Sequence, residues 1–564
     1  MKWTMENLDR ALADLKINKS RDADGLINEI FRKDVIGDDL KESMLMMFNH
    51  LKEEKLIPKF LNSPNITTVP KQGSLLNPEN ERGIFRVSVI RYILMRLIYN
   101  EKYPTIDSNM SDCQMGGRKG KGCRSNIWII NGIIHEVMHS KQKKSVTLQI
   151  YDYKQMFDAM HLQEAISDLY DSGMKDDTLA LLYDANKNIN VKVKTNSGLT
   201  VENNFEELVL QGDTWSPTMA ANQVDTFGKI LLQEQPEFIY KYKGSVPVSI
   251  LGMIDDIAGI SEHGVKAKQL NSYINVKTAE KRLQFGPGKC HTLTIAHKSA
   301  IIQNDDLCID NWTEKHDEDG HLIEKYEGQL IMKPVSEQKY LGFVLSKDGS
   351  NIKNIEAKRN RAIGIKKQIQ FLIKGLGKYT FEGGLIYLNS LLRSSILFAA
   401  ETMYTIKETE FRLIERIEEE LLRKFFKTGQ GCPIYQLYFE SGHIPARFAI
   451  SRMKIVFFRY ILTQEENSLM YQFLLAQKTK PRRNDWYSGV RNNLNEFEIF
   501  MTDEEIKNMP VNPFKNLVKE KSVIASINYL KCKQSMSEKG SQIRYETLEL
   551  QDYLSPYSNL KLED

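Results

Sequence analysis

The carboxylate pair Asp255–Asp256 is the part of this 564-residue sequence whose residue types and setting point most directly to chemistry. The surrounding run Val246–Ile260 is largely apolar, whereas three other Asp-Asp pairs, at 38–39, 176–177 and 305–306, lie in more polar surroundings. Burying two unpaired carboxylates is costly because each charge loses its hydration. A divalent cation offsets that cost, so the pattern predicts a hairpin whose turn presents acids to metal ions.

A third acid, Asp152, ends a run in which Val146, Leu148 and Ile150 alternate with more polar residues, as in a strand. A sheet that places this strand beside the Asp255–Asp256 hairpin would bring three carboxylates together. Phosphoryl transfer by two divalent ions about 3.5–4 Å apart requires shared carboxylates of this kind. One ion activates the attacking hydroxyl, and the other stabilises the leaving group.

The elements that must position these acids follow strand and helix patterns to about residue 350, and long helices follow. Strands are predicted near 66–71, 146–151, 191–210, 246–260, 290–296 and 329–346. Helices are predicted near 4–16, 38–56, 84–100, 125–140, 159–171, 215–233, 354–374, 382–402, 408–427 and 445–462. Residues 478–520 are predicted to be polar and irregular. The pattern indicates an α/β fold followed by an all-helical region.

Composition narrows the class of protein. A hydrophobic content of 41%, a charged content of 27% and a net charge of +4 are ordinary for a globular chain. The six cysteines form no CxxC, so neither a zinc ribbon nor a disulfide framework is indicated. We therefore expect an intracellular protein, nuclear or cytoplasmic. The first ten residues lack a signal peptide and no run of about 18 apolar residues occurs, so no membrane span or membrane partner is expected.

One string suggests a different enzyme class. His135–His139 matches the HExxH pattern of zinc peptidases, in which two histidines one helical turn apart bind the metal. No third ligand is placed by the sequence, and a helix with one polar face explains the same residues. The peptidase hypothesis therefore requires a metal in that helix.

A series of strings resembles the motifs of reverse transcriptases, in the order and with the spacing of that family over roughly residues 5–350. In chain order they are Asn18–Gly25, Val69–Lys71, Asn80–Gly83, Gln114–Gly122, Asp152–Asp158, Gln211–Pro217, Met253–Asp256, Phe285–Cys290 and Tyr340–Gly342. The last five resemble motifs A to E. The chain is most similar to reverse transcriptases of non-LTR retrotransposons. A group II intron-type reverse transcriptase, an inactive relic and a binding-only RNA protein remain alternatives.

The C-terminal half adds to the resemblance. Leu437–Gly442, Pro445, Arg447 and Asp485–Trp486 resemble the region after the thumb in elements that encode a restriction-like endonuclease. No endonuclease acids or Cys/His knuckle are recognisable, and we expect a truncated element. The resemblance implies a right-hand polymerase: fingers at 1–145, a palm with an antiparallel sheet at 146–350, a helical thumb at 351–465 and an extension at 466–564.

The resemblance also implies roles for individual residues. Asp152, Asp255 and Asp256 would be catalytic residues that bind two Mg²⁺ ions, with Mn²⁺ as a possible substitute, and Lys289 would act as a general acid. The residues implied in nucleotide binding are Lys71, Arg82, Tyr153, Phe157, Gln211 and Gly212. The residues implied in nucleic-acid binding are Arg118, Lys119, Lys121, Lys358, Arg359, Arg361 and Lys366. The implied partners are an RNA template, a DNA primer or target, and dNTPs.

Several positions depart from the family pattern without removing a metal ligand. Met253 stands where Tyr or Phe is usual, and Ile254 replaces a commonly small residue beside the acid pair. Thr214 and Trp215 replace Pro and Leu, and Gly83 replaces the usual Pro.

Overall fold

The computed structural model describes residues 2–70, 80–141, 144–195, 197–298, 300, 306–316, 322–375, 381–482 and 484–536. Within these ranges, strands occur only up to residue 346, and the elements after it are helical. The predicted α/β fold with a helical C-terminal region is confirmed.

The strands comprise two sheets of five strands and several two-stranded hairpins. They are β1 (Asn65–Pro70), β2 (Glu81–Arg86), β3 (Ser145–Tyr151), β4 (Lys187–Thr195), β5 (Gly198–Leu199), β6 (Asn203–Glu207), β7 (Tyr240–Tyr242), β8 (Val246–Val248), β9 (Ile250–Met253), β10 (Asp256–Glu262), β11 (His291–Ala296), β12 (Cys308–His316), β13 (Leu322–Ile331), β14 (Lys333–Pro334), β15 (Glu337–Tyr340) and β16 (Phe343–Ser346).

The helices surround these sheets and then continue alone. They are α1 (Met5–Ala13), α2 (Asp38–Glu54), α3 (Val89–Asn109), α4 (Cys123–His139), α5 (Met156–Ala159), α6 (Leu162–Asp171), α7 (Asp177–Asp184), α8 (Ser216–Glu234), α9 (Val265–Glu280), α10 (Ile352–Gly375), α11 (Phe381–Tyr387), α12 (Ser394–Ile396), α13 (Glu408–Phe425), α14 (Ile434–Ser441), α15 (Ala446–Leu462), α16 (Leu469–Thr479), α17 (Trp486–Glu496), α18 (Asp503–Asn508) and α19 (Val511–Ser535).

The palm sheet has the strand order β14–β11–β3–β10–β9, and its β11–β3, β3–β10 and β10–β9 pairs are antiparallel. Its central strand β3 is buried on both faces, and the polar side chains of Thr147 and Gln149 on it are hydrogen-bonded. Val146, Leu148 and Ile150 face one hydrophobic core, whereas Tyr151 belongs to a second. The sheet therefore separates two cores, with the end of β3 where they meet.

The fingers sheet joins elements from two parts of the chain. Its order is β2–β1–β4–β5, with β6 paired to β4. β1 and β2 form an antiparallel hairpin, while β1 and β4 run parallel. This arrangement carries Arg82, on β2, towards the edge of the palm.

One continuous core joins the palm to the helical region. It includes Trp128 of α4, Leu148 of β3, Phe458 of α15, Trp486 of α17 and Phe514 of α19. The predicted domain boundaries at 350 and 465 are crossed by this core, and as boundaries they stay predictions.

Two helical expectations were wrong in detail. Residues 478–520 contain α17, α18 and the start of α19, because a few large side chains such as Val490 and Phe514 bury one face of otherwise polar segments. The predicted helix 382–402 is broken into α11, a π-helical stretch at Leu388–Arg393, α12 and a short 3-10 turn.

This interrupted segment also has membrane-like composition. Among the described residues, Gly383–Thr402 is one helical stretch long and apolar enough to cross a bilayer, with mean hydropathy 1.2. Of its 18-residue window, 44% is buried within the protein, and Leu388, Leu392 and Ile396 belong to the shared core. Length and composition alone are weak evidence for a span, since core helices meet the same criteria.

Candidate active site

The three predicted acids converge at one edge of the palm sheet. Tyr151 is opposite Ile257 in the antiparallel β3–β10 pair, so Asp152 and Asp256, the next residues outward, lie at the same end. Asp255 lies in the turn that joins β9 to β10, where Met253 pairs with Asp256. We call Ile250–Glu262 the acid hairpin. Sheet register thus brings together residues separated by about a hundred positions in the chain.

The acids are close enough to affect one another's protonation. Burial, with the added charges of Asp255 and Asp152, raises the pKa of Asp256 to about 6. Burial and the Asp152 charge also raise the pKa of Asp255, although Arg82 and Lys289 act in the opposite direction. Within the described residues, neither Asp255 nor Asp256 forms an ion pair through its side chain. Asp255 and Asp256 therefore carry negative charge that no ion pair among the described residues neutralises.

Lys289 supplies the nearest positive charge. Its Nζ lies 2.8 Å from Oδ1 of Asp152, and its side chain is 68% exposed. Over the described part of the chain, no three His, Cys, Asp or Glu side chains are gathered tightly enough to form a metal site. The half-buried carboxylate oxygens still match the hard ligands that Mg²⁺ and Mn²⁺ prefer.

The tip of the acid hairpin has an unusual backbone. Ile254 has φ of +61°, a left-handed conformation that β-branched residues rarely adopt. Such strain persists only where neighbouring structure enforces it, and it is often found at functional sites. A larger, β-branched residue thus stands at Ile254, where the family usually has a small one, and it adds backbone strain next to the acid pair.

Three of the predicted nucleotide-binding residues, Arg82, Gln211 and Gly212, lie on β2 or against it. Arg82 is exposed on β2, and its charge acts on the pKa of Asp255. The carbonyl oxygen of Gln211 accepts a hydrogen bond of 3.1 Å from the N–H of Phe85, also near β2. Gly212 has φ of +114°, and a Cβ there would lie 3.2 Å from the oxygen of Phe85. Gln211 and Gly212 are thus fixed against the strand that carries Arg82.

The aromatic residues after Asp152 have separate environments. Tyr153 is buried and stacks on Phe285 with 4.7 Å between ring centroids, so its side chain is a core element. Phe157, on α5, is half-buried against the second core. Lys71 lies outside the described residues.

A buried ion pair behind the site was not predicted from the sequence. Asp213 pairs with Arg91 of α3 at 2.7 Å, and both side chains are at most 2% exposed. This pair fixes the Gln211–Pro217 segment to α3. The signal available in the sequence is the position of Arg91 within the apolar run Val89–Met95.

The glycine-rich basic loop, Gln114–Gly122, uses most of its charge internally. The Arg118 guanidinium donates to Oδ1 of Asp107 and to the oxygen of Ser111, each at 2.6 Å. Lys121 pairs with Asp112 at 2.6 Å, and Lys119 is exposed. The nucleic-acid contacts of Arg118 and Lys121 stay predictions, and in this structure protein acceptors already hold both cations.

The four cations predicted on the thumb helix α10 are likewise of two kinds, buried and exposed. Lys358 is 7% exposed, donates to the oxygen of Phe398 at 2.6 Å, and has its pKa lowered to about 8 by burial. Lys366 is also buried and pairs with Glu420. Arg359 and Arg361 are exposed. The predicted basic stripe is thus reduced to its two arginines, because a helical charge pattern cannot show which lysines turn inward.

The HExxH helix, α4, holds a structural cluster. Glu136 accepts hydrogen bonds from the Tyr240 hydroxyl at 2.9 Å and the Lys243 N–H at 3.0 Å. His135 and His139 stack with ring centroids 4.2 Å apart. The nearest further acid, Asp485, lies 3.6 Å from His135 but pairs with Lys243 at 2.6 Å. The metal that the peptidase hypothesis requires therefore has no ligand set among the described residues.

Residues 69–345 match the family described as reverse transcriptase (RNA-dependent DNA polymerase). This range contains the palm sheet and all three acids, so the match supports an RNA-directed DNA polymerase. A structure of apo telomerase from Candida tropicalis, truncated from its C-terminal domain, is similar with TM-score 0.33 and 10% identity. The similarity covers 54% of this chain and 59% of that one, so this chain spans about three fifths of that structure. No curated protein matches the chain.

Proposed function

We propose that the protein is an RNA-directed DNA polymerase of a non-LTR retroelement that extends a primer 3′-hydroxyl by two-metal nucleotidyl transfer. The observation that carries the proposal is the meeting of Asp152, Asp255 and Asp256 at one sheet edge with raised pKa values for the latter two. Carboxylates held together, two of them without an ion-pair partner among the described residues, are what a site for divalent cations requires.

Asp152 and Asp255 would hold the ions, with Asp256 binding one of them or orienting the primer end. Divalent ions bound there supply activation of a hydroxyl and neutralisation of phosphate charge. The protein's own residues then position the reactants, which is the larger part of catalysis in phosphoryl transfer.

Two cations at the site suit the triphosphate. Arg82 is exposed close to Asp255, and its planar guanidinium can bind phosphate oxygens in a bidentate manner. Lys289 lies against Asp152 on an exposed side chain, so it can reach a leaving pyrophosphate and donate a proton to it. Lys71 lies outside the described residues, and the resemblance implies that it adds positive charge at the triphosphate.

The remaining pocket residues would define its shape. Phe157, half-buried beside the site, would lie under the sugar and exclude a 2′-hydroxyl. Gln211 and Gly212, fixed against β2, would cover the template base pair. The backbone carbonyl of Tyr153 could complete a metal coordination sphere, since its side chain is committed to the core.

The non-LTR assignment is supported by the order of the motifs and by the segments after the thumb. Leu437–Gly442 spans the end of α14, and Asp485–Trp486 begins α17. Trp486 is fully buried and donates to the oxygen of Glu401 at 2.6 Å. These segments thus attach the extension to the thumb.

The proposal is tested by primer extension on poly(rA)/oligo(dT) with magnesium. The full chain should incorporate dTTP, and Asp255→Ala should abolish incorporation without lowering the free energy of unfolding. A matched control is Asp39→Ala, which removes the second acid of an exposed Asp-Asp pair at the start of α2. This control should retain full activity.

Incorporation that survives Asp255→Ala would refute the site assignment. An inactive wild-type chain that still binds an RNA–DNA duplex would instead favour the relic or binding-only alternative. The replacements at Met253 and Ile254 make this second outcome worth measuring directly.

A further inference from the structure

We propose that Gln114 is the positioning residue of the acid hairpin: its side chain enforces the left-handed backbone at Ile254 and so aims the Asp255 carboxylate. The inference rests on the proposed function, because it assigns a role within that same site. It concerns a residue that would contact neither substrate nor metal.

The side-chain amide of Gln114 makes every hydrogen bond available to it. Its Oε1 accepts from the N–H of Ile254 at 3.0 Å and from the N–H of Gly116 at 2.8 Å. Its Nε2 donates to the oxygen of Ile254 at 3.2 Å and to the oxygen of Ala221 at 3.1 Å. Gln114 is only 1% exposed, so water does not compete for these groups.

The pattern is specific to Ile254. A single side chain binds both the N–H and the C=O of the residue whose φ is +61°. A β-branched residue in that conformation relaxes to negative φ unless its peptide groups are held. The two hydrogen bonds from Gln114 are the contacts that fix those peptide groups, and Asp255 is the next residue in the chain.

Two glycines make room for this arrangement. A Cβ at Gly252 would lie 2.7 Å from Nε2 of Gln114, and a Cβ at Gly116 would lie 2.2 Å from the backbone nitrogen of Ile254. Neither contact is possible for a larger residue without displacement. Backbone hydrogen bonds from Gly252 N to Cys113 O at 2.8 Å and from Met115 N to Gly252 O at 3.0 Å complete the close approach.

The segment that carries Gln114 is itself anchored. Oδ2 of Asp112 accepts from the N–H of Leu469 at the start of α16, at 2.7 Å. The hydroxyl of Tyr460, on α15, donates to the oxygen of Gly120. The helical C-terminal region therefore holds the loop from which Gln114 reaches the acid hairpin.

The test compares Gln114→Met with Gln477→Met. Gln477 is also fully buried and hydrogen-bonded, to Tyr404 and Tyr487, but it lies on α16 away from the acids. Gln114→Met should lower kcat for primer extension on the order of 10- to 100-fold, as lost outer contacts of a metal site do. The KM for dTTP should change little. The control should match it in thermal stability and keep wild-type kcat.

A second readout is Mn²⁺ binding to the free protein, measured by electron paramagnetic resonance. Gln114→Met should weaken Mn²⁺ binding about tenfold, and Gln477→Met should not. Gln114→Asn, which keeps the amide but is one methylene shorter and cannot reach both peptide groups of Ile254, should behave like Gln114→Met and serves where the methionine variant does not fold. Because glycine adopts positive φ without strain, the loss caused by Gln114→Met should shrink several-fold in an Ile254→Gly background.

Equal effects of Gln114→Met and Gln477→Met on kcat and Mn²⁺ binding would overturn the inference, as would an undiminished loss in the Ile254→Gly background. The Mn²⁺ measurement also separates the two proposals. If the wild-type chain binds Mn²⁺ but extends no primer, the proposed function fails while the role of Gln114 is still decided.

Discussion

Charged groups gather in the interior at several places, and the protein treats two of them in opposite ways. At the acid hairpin, Asp255 and Asp256 have no ion-pair partner among the described residues, and their pKa values are raised. At the second place, which we call the palm–extension clamp (His135, Glu136, Lys243 and Asp485), the charges are paired: Lys243 lies 2.6 Å from Asp485, and both are nearly inaccessible to solvent.

The difference separates a site that awaits a ligand from one that holds the fold. An uncompensated carboxylate destabilises the chain until a cation binds, whereas a closed ion pair resists separation of the parts it joins. The clamp connects the β7–β8 hairpin of the palm to the segment before α17, since Lys243 Nζ also donates to the oxygen of Lys480 at 2.6 Å. The HExxH string is therefore structural.

The largest effect is expected from breaking the clamp. Lys243→Met should lower the free energy of unfolding by about 3–5 kcal/mol, because Asp485 is left as an uncompensated buried charge. Chemical denaturation measures this. Asp255→Asn should show no such loss, since it removes a charge that lacks a partner.

The control for this comparison is Lys2→Met, which breaks the exposed ion pair with Glu53 and should cost less than about 1 kcal/mol. A Lys243→Met variant as stable as this control would mean that the clamp does not hold the palm to the extension.

The sequence revealed the acid hairpin and not the clamp for a physical reason. Two acids within an apolar run are improbable without a function, so Asp255–Asp256 could be recognised locally. Asp152 could be added because strand alternation predicts β3. The clamp joins Lys243 to a residue 242 positions away, and nothing near either residue indicates the pairing. Gln114 begins one of the recognised strings, but its contacts could not be predicted for the same reason, as its partners Ala221 and Ile254 are 107 and 140 positions away.

The clamp should also make stability depend on pH. Burial, together with His139, Arg482 and Lys243, lowers the pKa of His135 to about 3, even with the paired Asp485 carboxylate nearby. His135 therefore stays neutral in the folded chain while the unfolded chain takes up a proton near pH 6.5. Stability is fully present above pH 6.5 and falls as pH decreases, by about 2 kcal/mol between pH 6.5 and 5.

Denaturation midpoints across this range, for the wild type and His135→Gln, measure the contribution as a difference. The variant should lose most of the slope between pH 6.5 and 5. An unchanged slope would show that His135 is already charged in the folded protein, and that Asp485 is shared between it and Lys243.

The smallest effect is expected on nucleic-acid binding, where the paired and unpaired cations of α10 can be compared. On α10, Lys358 and Lys366 are buried against protein acceptors, whereas Arg359 and Arg361 are exposed and have no ion pair within the described residues. Only free cations can release counterions from a phosphate backbone. Arg359→Glu with Arg361→Glu should weaken RNA–DNA duplex binding about tenfold and reduce the slope of log K against log salt by about 2. Lys358→Met should leave that slope unchanged. If the slope changed with Lys358→Met but not with the arginine substitutions, Lys358 would be the cation that contacts the phosphates and the arginines would not.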